Sequence, residues 1–536
     1  MSLKIQPPRS MPVEMTHLGV QLLSADSPYK LIGDQLFEQY TDADFADLYA
    51  TEGKPAISPM VLAFVTVFQF LEKLSDRQAA EAMRVRLDWK YALHLPLEYA
   101  GFDFSVLSEF RDRVLAHQAE ARLFDQVLAQ LQALDLIKQR GRQRTDSLAV
   151  LTKVRDLTRL ELVVETLRLA VRAVLAADPT WSRAILPPSW EMRYGERCVA
   201  AKLKESEREA LSQVVGPDGQ WLLERLQSPS TPAELPRLPA VQVLRAVWEQ
   251  QFEGVQGQVV FQGAGAYGGF TRIQTPHDPE ARYSKKGTQA WIGYKVQLTE
   301  TDDDDLPHLI TDMATTNSVE TDFSALPPLQ ARLAERQVLP SEQMVDGGYV
   351  SETNLAESDQ RGIDLVGPAP EDTTPQARMP AGLSVTHFQI DVQAGMAICP
   401  GGHRQPAIDR CGGRVRFRFP DALCAACQLR PRCCIGRSGR TLSVGQHYPL
   451  LRAARERQQT DEFKTYYRKH RSGVEGTLSA LVRGNQLRLG RYLGQTKRHL
   501  QALFTGTAVN LRRVARWLAG HRPQVRRSGL GLAPAN

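Results

Sequence analysis

The sequence predicts a mixed α/β protein, and two kinds of periodicity together with the order of the elements indicate it. Residues 291–299 alternate apolar and polar side chains, which is the period of a half-buried strand. From Leu157 to Val174 apolar residues recur in steps of three and four, the seam of a long amphipathic helix that should end at Asp178-Pro179. Between residues 142 and 370 strands and helices alternate, as in mixed α/β cores.

Length and composition restrict the class of protein further. A chain of 536 residues exceeds what one hydrophobic core usually supports, so we expect several structural units. Hydrophobic residues make up 42% and charged residues 24%, which excludes collagen-like and largely disordered classes. No stretch has signal-peptide character or approaches the roughly 18 apolar residues of a membrane span. We therefore expect a cytoplasmic protein without a membrane partner.

The first predicted elements are helices over residues 57–135. One of them should begin with a capping box, in which Ser75 caps the helix and Gln78 reaches back to the Ser75 amide. Short helices with surface cations resemble a helix-turn-helix region, although ordinary small helical bundles also carry scattered arginines. The cations expected on these surfaces are Arg77, Arg84, Arg86 and Lys90.

A core of strands and helices is predicted from residue 142 onward. Residues 142–150 form the first strand, and a mostly helical insertion follows it. Residues 291–299 and 308–315 then form a hairpin, whose loop carries the four adjacent aspartates 302–305. We interpret these aspartates as a solvated turn, because adjacent loop carboxylates rarely converge on one ion.

A helix over residues 319–336, expected to break at its two central prolines, leads to a short strand that ends at Asp346. A glycine turn, another helix and a strand over 362–368 complete this core. When the insertion is omitted, this order is that of an RNase H-like fold, in which the first and fourth strands are neighbours.

Three carboxylates in this arrangement have the chemistry of a two-metal phosphoryl-transfer site. Such a site holds two divalent ions about 4 Å apart, and Mg²⁺ prefers carboxylate ligands completed by water and phosphate. Asp146 and Asp346 lie on the predicted first and fourth strands. Glu475 is the third candidate, and Arg471 shares its helix face if the helix continues through Gly473. An ordinary surface pair of arginine and glutamate would have the same spacing.

The charge of the chain is concentrated at its end. Residues 451–536 contain 18 Lys and Arg against four Asp and Glu, a local charge of +14, whereas the whole chain carries +6. The first 450 residues therefore carry −8. The terminal segment is a candidate polyanion-binding surface, although a solvated basic tail would have the same composition.

Four cysteines have the spacing of a zinc site. Cys424, Cys427 and Cys433 are separated by two and five residues, and Cys399 lies upstream in a Cys-Pro-Gly-Gly-His turn. Four thiolates in a reducing compartment suit a structural tetrahedral Zn²⁺, and a set of reduced, partly buried thiols is the alternative. Two other side chains could substitute as ligands: His403 and Cys434.

Several separate segments together resemble the DDE-type transposases of bacterial insertion sequences, the group with a helical amino-terminal domain and a split RNase H-like core. The resemblance covers roughly residues 15–520 and follows the family order. Its segments are the Thr-Asp-Ser at Asp146, residues 278–300, the Asp-Gly-Gly-Tyr-Val-Ser at Asp346, the cysteine cluster and residues 473–500.

The resemblance implies a protein that binds the terminal inverted repeats of a mobile element, cuts DNA at the element ends and joins them to target DNA. It implies that Asp146, Asp346 and Glu475 ligate two Mg²⁺ or Mn²⁺ ions. It also implies a nucleoid-associated protein that acts as a homodimer or larger assembly, because two ends must be paired. The alternative is a catalytically inactive, transposase-derived DNA-binding protein or repressor.

Related transposases carry the signature Tyr-x2-Arg-x3-Glu-x6-Lys around the last carboxylate. Here Arg471 has the expected spacing to Glu475, but Arg468 occupies the tyrosine position, with a tyrosine one residue earlier. Val482 occupies the lysine position and an arginine follows it. We expect DNA contacts from residues at or beside this signature, Arg471, Tyr467, Arg468 and Arg483. We also expect them from Arg491 and, in the matched segment 278–300, from Lys285, Lys286 and Lys295.

The predicted organisation has six parts. They are a helical DNA-binding domain over 1–140, the first part of the RNase H-like core over 141–150 and 256–370, a helical insertion over 151–255, a small Cys-rich insertion over 371–450, the catalytic helix with the basic part of the core over 451–520, and a flexible tail over 521–536.

Overall fold

The computed structural model describes residues 1–5, 9–154, 157–263 and 271–522. Helices and strands alternate through these residues, which confirms the mixed α/β class. Most of the predicted flexible tail, residues 523–536, lies outside the described residues. None of the helices in the described ranges is long and apolar enough to cross a bilayer.

The amino-terminal part is helical, as predicted. Its α-helices within the described residues are α1 (Val13–Leu22), α2 (Pro28–Leu31), α3 (Pro59–Glu72), α4 (Asp76–Val85), α5 (Leu87–Ala92), α6 (Ser105–Ala116) and α7 (Arg122–Ala133). The capping box of α4 is confirmed, because the Gln78 amide donates to the Ser75 hydroxyl and the Ser75 amide donates to the Gln78 side chain at 2.9 Å.

The predicted surface position of Lys90 is wrong. Its side chain is buried, and its ammonium group donates to the carbonyl of Leu97. The reason is that α5 is enclosed by the other helices, so that Trp89 and Ala92 beside it are also buried. Inside this packing, the ammonium group of Lys90 is satisfied by a backbone carbonyl.

Residues 159–261 form a mostly helical unit with its own hydrophobic cluster. Its elements are α8 (Arg159–Ala177), α9 (Pro179–Ile185), α10 (Ser189–Tyr194), α11 (Glu205–Leu226), α12 (Pro239–Gln251) and the hairpin of β2 (Phe252–Val255) and β3 (Gln258–Phe261). The predicted amphipathic helix is α8. It ends where predicted, and Asp178 caps α9 by accepting from the Trp181 amide at 2.9 Å.

The central sheet contains six of the described strands. They are β1 (Arg142–Leu151), β4 (Arg282–Lys286), β5 (Gln289–Thr301), β6 (Ile310–Asn317), β7 (Glu342–Met344) and β8 (Asp364–Val366). β5 is antiparallel to β1, β4 and β6, whereas β1 is parallel to β7 and β7 is parallel to β8. The predicted strands are confirmed, and the first and fourth of them, β1 and β7, are neighbours.

Two local predictions about this core are wrong. β5 is buried on both faces rather than half-buried, because its polar side chains find partners inside the protein. Thr299, for example, is fully buried and its hydroxyl lies 2.8 Å from that of Thr145. Helix α13 (Asp322–Glu335) runs unbroken through Pro327 and Pro328. The apolar face that this helix buries offsets the two lost backbone hydrogen bonds.

The aspartate loop between β5 and β6 is not a solvated turn throughout. Asp302 and Asp303 are only 3% and 7% exposed. Asp303 accepts from the backbone amide of Arg142 at 3.3 Å, and Asp302 accepts from the guanidinium of Arg144. The loop lies against β1, so its carboxylates meet buried donors rather than water.

The carboxyl-terminal part consists of a second sheet and long helices. The sheet has β9 (Gln389–Asp391), β10 (Met396–Ile398), β11 (Arg404–Cys411), β12 (Arg414–Arg418) and β13 (Thr441–Gly445), all antiparallel, with its own hydrophobic cluster. The remaining helices are α14 (Glu352–Gln360), α15 (Pro375–Arg378), α16 (Asp421–Ala425), α17 (Arg430–Cys433), α18 (Tyr448–Arg457), α19 (Asp461–Asn485) and α20 (Gln495–Leu518). α20 shares one hydrophobic cluster with the amino-terminal helices and the central sheet.

Candidate active site

Asp146 is a buried carboxylate on β1. It is 8% exposed, and its Oδ2 lies 2.7 Å from Nη2 of Arg471. Burial raises the pKa of Asp146, the Arg471 guanidinium offsets part of that rise, and the carboxylate of Asp346 adds to it. Asp146 and Asp346 are therefore close enough to repel each other.

Asp346 follows β7, and strand register explains why it lies near Asp146. β1 and β7 are parallel with Arg144 opposite Met344, so two further residues bring Asp146 and Asp346 to the same level of the sheet. Asp346 accepts from the Gly347 amide at 2.8 Å, and its carboxylate is 41% exposed with Lys286 Nζ at 3.6 Å. It is the more accessible of the two aspartates.

Glu475 reaches the site from α19, which is continuous through Gly473 as the shared helix face required. Its side chain is 70% exposed, and Oε1 lies 4.0 Å from Nη1 of Arg471. Asp146 and Glu475 thus lie beside the same guanidinium. Burial alone would lower the pKa of Arg471, but Asp146 and, to a smaller extent, Tyr467 and Asp346 raise it above its ordinary value.

Two donors of Arg471 are unused. Its Nε and Nη1 are buried and have no hydrogen-bond partner among the described residues. A buried guanidinium normally satisfies its donors, since an unmade hydrogen bond to a charged group is costly. The free donors give Arg471 the capacity to bind another oxygen acceptor, such as a phosphate.

The carboxylates have the right donor atoms for a hard divalent cation, but their side chains do not converge on one point in this structure. Within the described residues no three His, Cys, Asp or Glu side chains are grouped so that they could hold a metal ion. The guanidinium of Arg471 lies beside Asp146, and Glu475 extends towards solvent. Two neighbouring carboxylates, one of them buried, are nevertheless the oxygen donors that Mg²⁺ prefers.

Apart from Arg471, the side chains predicted to contact DNA fall into two groups. Arg468 and Arg483 on α19, together with Lys285 and Lys286 on β4, are exposed near the carboxylates or on the same helix. The others are turned inward: Tyr467 donates to the Val345 carbonyl at 2.9 Å, Lys295 to the Glu320 carbonyl at 2.7 Å, and Arg491 to the Leu74 carbonyl at 2.5 Å. Burial raises the pKa of Tyr467 to about 12, so its hydroxyl stays protonated.

Part of the positive charge of the basic terminal segment is paired with acidic side chains elsewhere in the protein. Arg457, Lys497 and Arg513 each form an ion pair at 2.8 Å, with Asp364, Asp112 and Glu300 respectively. The segment therefore binds the acidic remainder of the chain as well as offering exposed cations. Its composition alone overstated the basic surface.

Five cysteines of the described chain gather at one end of the second sheet. A side chain added at Gly401 would lie 3.6 Å from the sulfurs of both Cys399 and Cys427. Cys424, Cys433 and Cys434 line the same cavity, as does His403. All five are free thiols, and burial raises the pKa of Cys433 and Cys434. Cys411, by contrast, is exposed on β11.

A set of buried ionisable side chains next to the site was not predicted from the sequence. They are Arg144, Glu300, Asp302 and His470. Arg144 and Glu300 lie on neighbouring strands, and only the tertiary packing encloses them. The one local signal was Gly473, a glycine in the middle of a long helix, where glycine is unfavourable.

Comparison with protein families gives two matches. Residues 398–515 match a family described as "Transposase DDE domain", and residues 20–113 match "Transposase domain (DUF772)". The chain carries transposase domains at both ends. The resemblance to insertion-sequence DDE transposases is thereby confirmed. The first match contains the cysteine cluster and Arg471 with Glu475, and the second contains α3 to α5. No curated protein and no solved structure matches the chain.

Proposed function

We propose that this transposase binds the terminal inverted repeats of an insertion sequence, cleaves DNA at the element ends and joins those ends to target DNA. The observation that carries the proposal is that Asp146 on β1 and Glu475 on α19 both lie beside Arg471, while Asp346 follows the neighbouring parallel strand at the level of Asp146. The catalytic residues would be Asp146, Asp346 and Glu475.

We propose an RNase H-like core for the central sheet. The pairing of β5 with β6 and β1, followed by parallel β7 and β8, supports it. Separate hydrophobic clusters in the helical unit and in the second sheet support the two insertions, at 151–255 and 371–450. The end-binding domain, 1–140, would be packed on the core, since both share one hydrophobic cluster.

The carboxylates would hold two Mg²⁺ or Mn²⁺ ions. A buried Asp146 beside a second carboxylate supports this, because a divalent cation relieves repulsion between like charges. When bound, such ions stabilise the charge on the attacking and leaving oxygens of the phosphodiester. Lys286, with its Nζ 3.6 Å from Asp346, would balance part of that carboxylate's charge before a cation binds.

The protein's own side chains would bind and orient the DNA end. Arg471 would donate to phosphate oxygens of the transposon end, because its Nε and Nη1 have no partner among the described residues. Exposed Arg468, Arg483 and Lys285 would contact the backbone and set its register without reading sequence. The tyrosine and lysine positions of the family signature hold Arg468 and Val482, so no hairpin step is included in the proposal.

We propose a structural Zn²⁺ at Cys399, Cys424, Cys427 and Cys433, with His403 and Cys434 as alternative ligands. The support is the gathering of these sulfurs around one cavity at the end of the second sheet. A zinc ion there would connect β10 and the β12–β13 region of the small sheet.

Pairing of two element ends in one complex would require a homodimer or larger assembly on the DNA. We propose that the protein acts on double-stranded DNA at the bacterial nucleoid, because both of its substrates, the element ends and the target, are DNA. These statements rest on the proposed reaction alone.

The proposed function is tested with Asp346→Asn on DNA that carries the element ends. This change removes one carboxylate charge but none of the phosphate contacts, so cleavage in Mg²⁺ should be lost and end binding retained. Asp359→Asn, an exposed aspartate on α14, is the matched control and should cleave like wild type. Cleavage by Asp346→Asn would contradict the site assignment. An inactive, DNA-binding relative would bind the ends in all three forms and cleave in none.

A further inference from the structure

We infer that a buried ionic network centred on Arg144 fixes α19 against β1 and thereby sets where Glu475 stands relative to Asp146. The network lies beside the three carboxylates but contains none of them. Its effect on DNA cleavage rests on the proposed function, whereas its effect on the position of α19 does not.

Arg144 is the centre of the network. It lies on β1 two residues before Asp146, so both side chains leave the same face of the strand. Its Nε donates to Glu300 Oε1 at 2.7 Å, and Nη1 donates to Asp302. The side chains of Arg144, Glu300 and Asp302 are each 4% exposed or less. One guanidinium therefore holds the end of β5 and the following loop against β1.

The same network is bonded to α19 through three contacts. Arg144 Nη1 donates to the backbone carbonyl of His470 at 3.1 Å. The imidazole Nδ1 of His470 lies 2.7 Å from Asp302 Oδ2, and the Thr477 hydroxyl donates to Glu300 Oε2 at 2.8 Å. These contacts occur on both sides of Glu475 along the helix. They restrain the rotation of α19 about its own axis and the sliding of α19 along β1.

A neighbouring helix closes the network. Arg513 on α20 donates to Glu300 Oε2 at 2.8 Å and to the Thr477 hydroxyl at 2.6 Å. Burial alone would raise the pKa of Glu300, but the guanidinium groups of Arg513 and Arg144 lower it below its ordinary value. Glu300 is thus an anion held between two cations, and the bonds it accepts are charge-assisted and directional.

Gly473 is the part of α19 that makes this approach possible. A methyl group at Gly473 would overlap the guanidinium of Arg144, which lies directly against the helix backbone. Glycine inside a helix costs stability relative to alanine, so its presence in the middle of α19 needs such a reason. Gly476, on the same helix, has no described atom within 4 Å of an added methyl group.

These contacts make Arg144 a positioning residue rather than a catalytic one. Apolar packing under α19, through Val474 and Leu478, would tolerate small shifts of the helix, but a set of short ionic hydrogen bonds would not. A displacement of Glu475 by about 1 Å can cost as much as about 100-fold in rate when reacting groups must be aligned.

The test compares Gly473→Ala with Gly476→Ala in the full-length protein. The first change should displace Arg144 and loosen α19, so peptides from residues 461–485 should exchange backbone hydrogen for deuterium faster than in wild type. The second change should leave exchange equal or slower, because alanine favours helix. Equal exchange in the two variants would overturn the inference, whether or not the protein cleaves DNA.

Cleavage measurements separate positioning from mere destabilisation. On element-end DNA, Gly473→Ala should have the same Kd as Gly476→Ala, but a single-turnover rate lower by about 10- to 100-fold at a temperature where both are folded. Equal rates would overturn the catalytic part of the inference. If wild type itself fails to cleave, the proposed function is at fault, and the exchange result still decides the position of α19.

A second pair of variants guards against a general folding defect. Thr477→Val removes only the hydroxyl bonded to Glu300 and Arg513, at nearly constant volume. Thr507→Val removes a buried hydroxyl that, among the described residues, bonds within α20 to the Leu503 carbonyl at 2.9 Å. Thr477→Val should slow cleavage and speed exchange in α19, and Thr507→Val should do neither. The same behaviour in both variants would contradict the network's role.

Discussion

Arg471 on α19 forms an ion pair with Asp146 on β1, with 2.7 Å between Nη2 and Oδ2. The pair joins the central sheet to the helix that carries Glu475. Because the guanidinium is a cation, it neutralises Asp146 in the protein without DNA. The proposed metal ions and the DNA phosphate would therefore both act on this ion pair, the first by binding Asp146 and the second by attracting Arg471.

Replacing Arg471 by Gln should raise the pKa of Asp146 further in the metal-free protein. Burial, which already raises this pKa, remains, while the guanidinium that offsets part of the rise is gone. Carboxyl NMR titration of the two proteins measures the change. Arg452→Gln, which breaks an exposed pair with Glu456, is the control and should leave the Asp146 titration where it was. An unchanged or lower pKa in Arg471→Gln would contradict the assigned ion pair.

The same Arg471→Gln change should also destabilise the fold. Removing one partner of a buried ion pair leaves the other uncompensated, at a cost of about 3–5 kcal/mol in the free energy of unfolding. The side chains of Arg471 and Asp146, taken alone, are 10% and 11% exposed, so solvent screens the pair little. Chemical denaturation of both variants measures the loss, and Arg452→Gln should lose less than about 1 kcal/mol.

Arg468→Gln should weaken binding to element-end DNA and to unrelated DNA alike. The exposed guanidinium is proposed to contact a phosphate, so its loss should reduce the slope of log K against log salt by about one. Fluorescence anisotropy at several salt concentrations gives that slope. Arg378→Gln removes an exposed charge at the end of α15 and should leave the slope unchanged. Identical slopes for the two variants would exclude the phosphate contact.

Purified protein should contain about one equivalent of zinc, and Cys427→Ser should lose it. Cys427 lies beside Cys399 in the cluster, whereas Cys411 is exposed on β11 away from it. Cys411→Ser is therefore the matched control and should retain the metal. Elemental analysis of the three proteins decides the matter. Absence of zinc from wild type and both variants would rule out the structural metal.

The protein should lose stability as pH falls from about 6.5 towards 4, in part through His499. Burial on α20 lowers the pKa of His499 to about 4, and its Nδ1 has no partner among the described residues. The unfolded chain then takes up a proton before the folded one does, so stability is complete above the ordinary pKa and falls as pH approaches 4. The contribution is at most about 3 kcal/mol.

His499→Gln should reduce this pH dependence. Urea denaturation of wild type and variant at pH values above and below about 6 measures it. At the higher pH both side chains are neutral, so the difference between the proteins there provides the control. A difference that stays constant across the range would show that His499 does not protonate on unfolding.

Local sequence was sufficient where a structure depends on near neighbours. The capping box at Ser75, the seam of α8 and the strand that carries Asp146 are all set by residues within a few positions. The two aspartates could be placed at one level because parallel strands carry their ends to the same edge. The third carboxylate was found from a matched motif, and its spacing to Arg471 alone did not distinguish it from a surface pair.

The sequence by itself determined the order of strands and helices and where the acidic residues lie along them, because these depend on periodicity and on short-range hydrogen bonds. Only the tertiary structure decided which charged side chains face inward. Nothing in the local sequence distinguishes Lys295, Arg491 and Asp302 from exposed charged residues. In the folded protein each of them bonds to a group from another segment of the chain. Burial depends on which surfaces pack against each other in the folded chain. Arg144 is enclosed by the backbone of α19 at Gly473, which lies more than 300 positions later in the sequence.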